Sequence, residues 1–126
     1  MSCLLIGALA VGLSGDRFTL EWTHSVERVA WKEEWVIDRN NLQLIKAAIK
    51  GSGAGMEPGP NAILQNGWWV WETHLALQSE LVLAASGVTP SPWRLCDGKN
   101  CRDLGRKPDS PIIIRPCPAA KSISPS

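Results

Sequence analysis

Apolar and polar residues alternate along most of the chain, and this pattern predicts short β-strands. In residues 17–23, Phe18, Leu20 and Trp22 alternate with polar side chains, which is the period of a strand with one buried face. The same period returns over residues 29–37. Strands of this kind need a second sheet against which to bury their apolar face.

Further strands are predicted where short apolar runs are bounded by turn residues. Residues 42–49 also fit two helical turns, but their length and neighbours favour a strand. The longest break, residues 50–67, holds five Gly and two Pro and predicts an irregular segment. The remaining candidate strands, not all of which need form, are residues 2–6, 8–13, 68–72, 80–85, 93–96, 101–104 and 111–115.

These elements predict an all-β fold: a small antiparallel β-sandwich or barrel of seven to nine short strands with a long Gly/Pro-rich loop. The domain is expected to span residues 1–116, with a flexible tail over residues 117–126. The apolar run at residues 3–13 is too short for a transmembrane helix. It also lacks the basic flank and cleavage site of a signal peptide. The compartment stays open, with the cytoplasm favoured over the periplasm.

Composition excludes some functions without naming one. The 126 residues carry 13 Lys+Arg and 12 Asp+Glu, a net charge of +1, so no overall field attracts nucleic acid. The aromatic residues are unusual: seven Trp, one Phe and no Tyr. Most of these indoles are expected in the core. Because WWVWE places indoles on both faces of one strand, Trp68 or Trp69 is expected at the rim of a binding surface.

His24, Ser25 and Glu27 follow a predicted strand and are candidate binding residues. Neighbours on an extended backbone point to opposite faces, so His24 is poorly placed to act as a base for Ser25. Three interpretations stay open for His24: it anchors a turn, it lines a ligand pocket, or it works with Glu27 or Glu33 in a small hydrolase or isomerase. If Glu33 faces inward, its carboxylate needs a partner, and His24 or Arg28 is the candidate for that role.

The loop Gly53, Ala54, Gly55 and Met56 lacks the Lys-Ser/Thr of a P-loop and the context of a dinucleotide fold. Its backbone N–H groups can accept an anion such as a carboxylate. A tight turn without a ligand fits the same residues.

The four cysteines do not have the spacing of a zinc site, and no metal or other cofactor is predicted. Cys96 and Cys101 flank an Asp-Gly turn, so they can pair across a hairpin in an oxidising compartment, whereas in the cytosol they stay thiols. Cys3 is interpreted as a small buried apolar residue.

Two short motifs resemble a bacterial family, the domain of unknown function eighteen-fifty. They are the aromatic-x-His-Ser-Val sequence at residues 22–26 and the Gly-Ala-Gly-Met turn at residues 53–56, within a similarity over residues 3–104. Genes of this family commonly lie beside TRAP transporters of the TAXI type, which implies an accessory role in solute uptake. Members from Gram-positive bacteria look exported behind a hydrophobic leader, and this chain departs from that pattern.

The sequence therefore favours a non-enzymatic binding or accessory module. Its expected partners are TRAP transporter subunits or a carboxylate-bearing solute. The expected working surface joins His24, Ser25 and Glu27 to the loop at residues 53–56, with Trp68 or Trp69 at its edge. The alternatives are the small hydrolase or isomerase and a purely structural interaction domain.

Overall fold

A computed structural model describes residues 2–23, 30–50, 59, 61–73, 76–83, 93–98, 100–104 and 111–118. Every regular element in these ranges is a β-strand, which confirms the all-β class. The strand count exceeds the predicted seven to nine. The strands are β1 Ser2–Ile6, β2 Leu9–Leu13, β3 Arg17–Thr23, β4 Ala30–Asp38, β5 Asn41–Lys50, β6 Ile63–Gln65, β7 Trp68–Glu72, β8 Leu81–Leu83, β9 Trp93–Asp97, β10 Asn100–Leu104 and β11 Ile112–Pro116.

The strands form two antiparallel sheets of unequal width. The four-stranded sheet has the order β2-β1-β11-β8, and the seven-stranded sheet has the order β10-β9-β3-β4-β5-β7-β6. Their facing sides share one apolar core, so the arrangement is a sandwich rather than a closed barrel. The described residues contain no helix of the length and apolarity needed to cross a membrane.

The alternating pattern selects the buried face of each strand. Phe18 and Leu20 of β3 are 1% and 0% exposed, and Trp35 lies opposite Phe18 on β4. Across the sandwich, Leu4 and Ile114 are both fully buried and complete the same core. Deleting apolar side chains of this kind typically costs about 2–5 kcal/mol, so these strands hold the two sheets together.

A β-bulge in β5 explains the ambiguous pattern of residues 42–49. Glu34 pairs with Lys46 and Trp35 pairs with Leu44, which leaves Ile45 as the extra residue on β5. The bulge reverses the alternation, so that Leu44 lies on the same face as Ala47. The segment is a strand, as predicted, and its irregular apolar pattern comes from the bulge rather than from a helical period.

Part of the predicted irregular segment at residues 50–67 is a β-hairpin, which corrects that prediction. β6 pairs with β7, and Asn66 and Gly67 join the two strands with φ values of 53° and 86°. Two consecutive positive φ values are typical of the type I′ turn that Asn-Gly favours. The Asn-Gly dipeptide was therefore the signal for β6. Residues 51–58 and 60 of this segment lie outside the described residues.

The structure contains two disulfides, one between residues far apart in the sequence and one between the two strands of a hairpin. Cys96 and Cys101 are paired across the β9–β10 hairpin with their Cα atoms 4.1 Å apart. Cys3 forms a second disulfide with Cys117, with Cα atoms 5.4 Å apart, so its interpretation as a simple buried apolar residue was wrong. Their spacing in sequence is 114 residues, too far apart for a local pattern to reveal the pair. Residues 119–126 lie outside the described residues.

A buried carboxylate joins the β2–β3 turn to the end of β9. Asp97 is 9% exposed and accepts hydrogen bonds from the Ser14 backbone N–H at 2.8 Å and from the Ser14 hydroxyl at 3.0 Å. Because both carboxylate oxygens are used, the burial of this charge is compensated. The contact attaches the loop after β2 to the neighbouring sheet.

The two disulfides are expected to stabilise the fold to different degrees. The entropy that a cross-link removes from the unfolded chain grows with loop length, and the two sequence separations are 114 and 5. We expect Cys3→Ala with Cys117→Ala to lower the free energy of unfolding by about 4–5 kcal/mol, and Cys96→Ala with Cys101→Ala by about 2 kcal/mol. Urea unfolding of both double variants measures this difference. Equal losses would contradict it.

Candidate functional site

The structure describes two of the predicted binding residues, Trp68 and Trp69. They are consecutive in β7 and therefore point to opposite faces of the seven-stranded sheet. The other candidates, His24, Ser25, Glu27, Gly53, Ala54, Gly55 and Met56, lie outside the described residues. The recess expected between the histidine segment and the glycine-rich loop is therefore still a prediction.

Trp68 borders an open recess on the outer face of the seven-stranded sheet, the face turned away from the four-stranded sheet. We call it the Trp68 recess; its volume is about 260 Å³. It is lined by Thr19, Lys32, Glu34, Lys46, Ala47, Ala48, Gln65, Asn66, Trp68 and Val70.

The strand register explains why the recess is there. Ala48 of β5 lies between Lys32 of β4 and Val70 of β7 on the outer face. A methyl group between larger side chains leaves a depression. Trp68 is the next outward-facing residue of β7 before Val70, and it lies beside Lys50 of β5. The β5 bulge is required for this arrangement, because it sends Lys46, Ala48 and Lys50 outward.

Two lysine ammonium groups lie close to the indole of Trp68. The ammonium Nζ atoms of Lys32 and Lys50 lie 4.8 Å and 5.9 Å from the ring centroid. Both distances are within the range of cation–π attraction. Lys32 also approaches Glu21, with Nζ 3.9 Å from a carboxylate oxygen, but both side chains are more than a third exposed. Such a contact is weak and leaves the ammonium available to a ligand.

Two amide side chains complete the rim of the Trp68 recess. Gln65 ends β6, and Asn66 is held in the turn by its positive φ. Amides both donate and accept hydrogen bonds, whereas the lysines only donate. The recess therefore combines a flat apolar surface, positive charge and orientable polar groups. This combination suits an anionic group attached to a planar or apolar body.

The acidic residues near the recess are already matched with basic residues. Glu34 accepts a hydrogen bond from the Arg17 guanidinium at 3.1 Å and lies beside Lys46 on the neighbouring strand. Lys46 in turn lies beside Glu72 of β7. Lys32 and Lys50 therefore supply the positive charge closest to the indole.

Sequence reasoning missed most of this site. It named Trp68 as a candidate, with Trp69 as the alternative, but did not name Lys32, Lys50, Ala48 or Gln65. The available signal was the segment KAAIK at residues 46–50, which alternates charged and small residues on one face once it is interpreted as a strand.

The inner face of the same sheet carries an indole cluster of Trp22, Trp31, Trp71 and Trp93. Trp22 stacks on Trp31 with ring centroids 5.6 Å apart, Trp93 lies 5.4 Å from Trp22, and Trp71 contacts Trp31 edge-on at 6.4 Å. These separations are those of favourable aromatic pairs. A Cβ atom at Gly59 would overlap the Trp71 indole, so this position requires glycine. This cluster is half-buried and extends the apolar core.

Glu33 faces the interior from β4, between Leu20 and Ala47 on the neighbouring strands. Its carboxylate accepts a hydrogen bond from the Trp35 indole N–H at 3.0 Å, so the partner that the sequence required is an indole. Burial raises the pKa of Glu33 above its ordinary value near 4.5, and the Trp35 hydrogen bond opposes this rise. His24, the base in the enzymatic alternative, lies outside the described residues. Within the described ranges no three acidic, histidine or cysteine side chains gather as a metal site.

Comparison with known proteins identifies a family. The family model described as Domain of unknown function (DUF1850) matches residues 18–104. The matched segment begins at the buried Phe18 of β3 and ends at Leu104 of β10, so it spans the strands of the seven-stranded sheet together with β8. No curated protein and no solved structure is detectably similar to the chain.

Glu33 is expected to destabilise the fold at neutral pH. Its pKa is raised in the folded state, so its contribution to stability is most favourable below the ordinary value near 4.5 and is lost as the pH rises through the folded pKa. We expect Glu33→Gln to stabilise the protein at pH 7, because the amide oxygen still accepts from Trp35, and the gain to shrink as the pH falls toward 4. Urea unfolding across this range measures the effect.

The matched control is Glu72→Gln, which removes an exposed carboxylate from β7. The same dependence on pH in both variants would show that the loss of any carboxylate, rather than the burial of Glu33, causes the effect.

Proposed function

The chain belongs to the DUF1850 family, and we propose that it is a non-enzymatic binding module whose ligand site is the Trp68 recess. The observation that carries the proposal is the pair of lysine ammonium groups, Lys32 and Lys50, over an indole at an open depression of the sheet. Structural lysines are usually spread over a solvated face. Here two of them converge on one apolar surface.

A carboxylate-bearing solute is the ligand class that fits this surface best. Its carboxylate would accept charge-assisted hydrogen bonds from Lys32 and Lys50. Its apolar body would lie against Trp68 and Val70, and the Gln65 amide would orient its remaining polar groups. No proton transfer or covalent step is needed for this role.

A role beside a TAXI-type TRAP transporter is the biological setting that we propose. It is supported by the motif resemblance at residues 22–26 and 53–56. In this setting His24, Ser25, Glu27 and the loop from Gly53 to Met56 would form a second recognition surface, for the transporter subunits.

The two disulfides support an oxidising compartment. Structural disulfides persist outside the cytosol and are rare within it. The pairs Cys3–Cys117 and Cys96–Cys101 therefore favour the periplasm or the cell exterior over the cytoplasm. A carboxylate-binding module there would meet solutes before uptake.

Titration with small aromatic acids tests the recess. We expect benzoate to bind weakly and to shift the indole N–H resonance of Trp68 in nuclear magnetic resonance spectra, whereas the uncharged benzamide binds less well. Lys32→Gln and Lys50→Gln should each weaken benzoate binding by about threefold to tenfold, because each removes a charge-assisted contact. Equal binding of benzoate and benzamide would contradict a charge-selective site.

Three further variants separate shape from charge. Ala48→Leu should fill the recess and abolish binding without changing its charge, whereas Ala10→Leu makes the same substitution at an exposed position of β2. Arg115→Gln on β11 removes one exposed positive charge from the other sheet and should leave the affinity unchanged. Thermal melts of each variant establish that the fold is intact.

Association with the transporter is tested separately. We expect the purified, oxidised protein to bind the detergent-solubilised subunits of a TAXI-type TRAP system in biolayer interferometry and His24→Ala to weaken that binding. A solubilised transporter of an unrelated class is the control. Equal signals from both transporters would contradict the association while leaving the ligand site standing.

A further inference from the structure

The outer strand of the four-stranded sheet has an exposed edge. Within the described residues β2 pairs with β1 alone, so one side of its backbone has N–H and C=O groups without strand partners. Proteins usually protect such edges with charged residues, proline, bulges or very short strands. β2 has the sequence LAVGL, which contains no charge and no proline, and its register with β1 has no bulge.

The other described edges carry such protection. β10, at one edge of the seven-stranded sheet, contains Arg102 and Asp103. β6, at its other edge, and β8, at the far edge of the four-stranded sheet, are three residues long. β2 is therefore the one full-length, uncharged edge among the strands that the structure describes.

A groove runs beside this edge because the two sheets differ in width. The space between β2 and the β9–β10 hairpin has a volume of about 510 Å³. Gly12 lines one side of it, and Asp97, Asn100 and Arg102 line the other. A fifth strand added to β2 would lie in this groove, over the inner face of β10.

The groove has a positive charge available for binding. Arg102 pairs with the buried Leu95, so its side chain projects from the inner face of the hairpin toward the groove. Among the described residues the exposed Arg102 takes part in no ion pair. The carboxylate of Asp97 also lines the groove, but it is buried and both of its oxygens accept hydrogen bonds from Ser14. An incoming strand thus meets the Asn100 amide and the exposed Arg102 guanidinium, which has no ion-pair partner among the described residues.

We propose that the β2 edge and its groove form a docking site for an extended acidic segment of a partner protein. The segment adds to the four-stranded sheet as a fifth strand through backbone hydrogen bonds to β2. Its inward-facing side chains, which alternate along the strand, place a carboxylate against Arg102. The site lies on a different sheet edge from the Trp68 recess and does not depend on it.

A second copy of the chain fits this edge less well. Self-pairing of β2 would bring LAVGL against LAVGL, and that strand has no acidic side chain to offer to Arg102. Charge complementarity therefore favours an acidic partner.

A short blocked peptide of alternating threonine and glutamate tests the proposal. We expect it to perturb and protect the backbone amides of β2 in nuclear magnetic resonance and hydrogen-exchange measurements. Peptides with glutamine or lysine in place of glutamate should bind at least about threefold more weakly. Arg102→Gln should remove this preference, and Arg102→Glu should reverse it in favour of the lysine peptide. Arg115→Gln, the charge-matched control, should leave it unchanged.

Three results would overturn the proposal. The first is β2 amides that are already as protected in the free protein as those of β1, because the edge would then be covered. The second is a peptide effect confined to residues outside β2 and the β9–β10 hairpin. The third is a concentration-dependent dimer with protection at β2, which would make the edge an interface between copies. The Arg102 side chain is exposed, so loss of folding is not expected to confuse the outcome.

Discussion

The mismatch in width between the two sheets is the constraint on which the rest of this structure depends. Four strands cannot cover seven, and the buried residues of the shared core come from β3, β4, β5, β9 and β10 of the larger sheet but not from β6 or β7. The inner face of the larger sheet also carries the indole cluster, in which Trp31 of β4 contacts Trp22 of β3 and Trp71 of β7. A polar groove lies between β2 and Arg102 of β10.

The tryptophans serve two physical purposes in this arrangement. Indoles on the inner face extend the apolar core, because each one buries a large area and pairs favourably with its neighbours. Trp68, one position away from Trp69, lies on the outer face, where its ring meets two lysines instead of other indoles. The alternation of a single strand therefore separates an aromatic residue of the core from one at a binding surface.

A single extra residue in β5 connects the fold to the candidate site. Without the bulge at Ile45, the residues after it would exchange faces. Ala48 and Lys50 would then point into the sandwich, and Ile49 would be exposed instead of fully buried. The depression under Trp68 and the packing of the buried Ile49 against tryptophans of the inner face thus arise from the same local irregularity.

The local sequence was sufficient to predict those features that depend only on residues close together in the chain. Period-two alternation determined the all-β class, the buried faces of β3 and β4, and the opposite orientations of Trp68 and Trp69. The inward Glu33 followed from the same rule, although its indole partner did not. The sequence also contains the two motifs that resemble the family, and the family model that matches residues 18–104 shows the membership.

What the tertiary structure alone decided depends on contacts between residues far apart in the chain. Three features require particular strand neighbours. They are the Cys3–Cys117 disulfide, the hydrogen bonds from Ser14 to Asp97, and the approach of Lys32 and Lys50 to Trp68. Strand order and register are set by the packing of whole sheets, whereas alternation specifies only which side of a strand is buried. For that reason the sequence by itself determined which side of each strand is buried. The folded chain determined which residues from different strands come into contact.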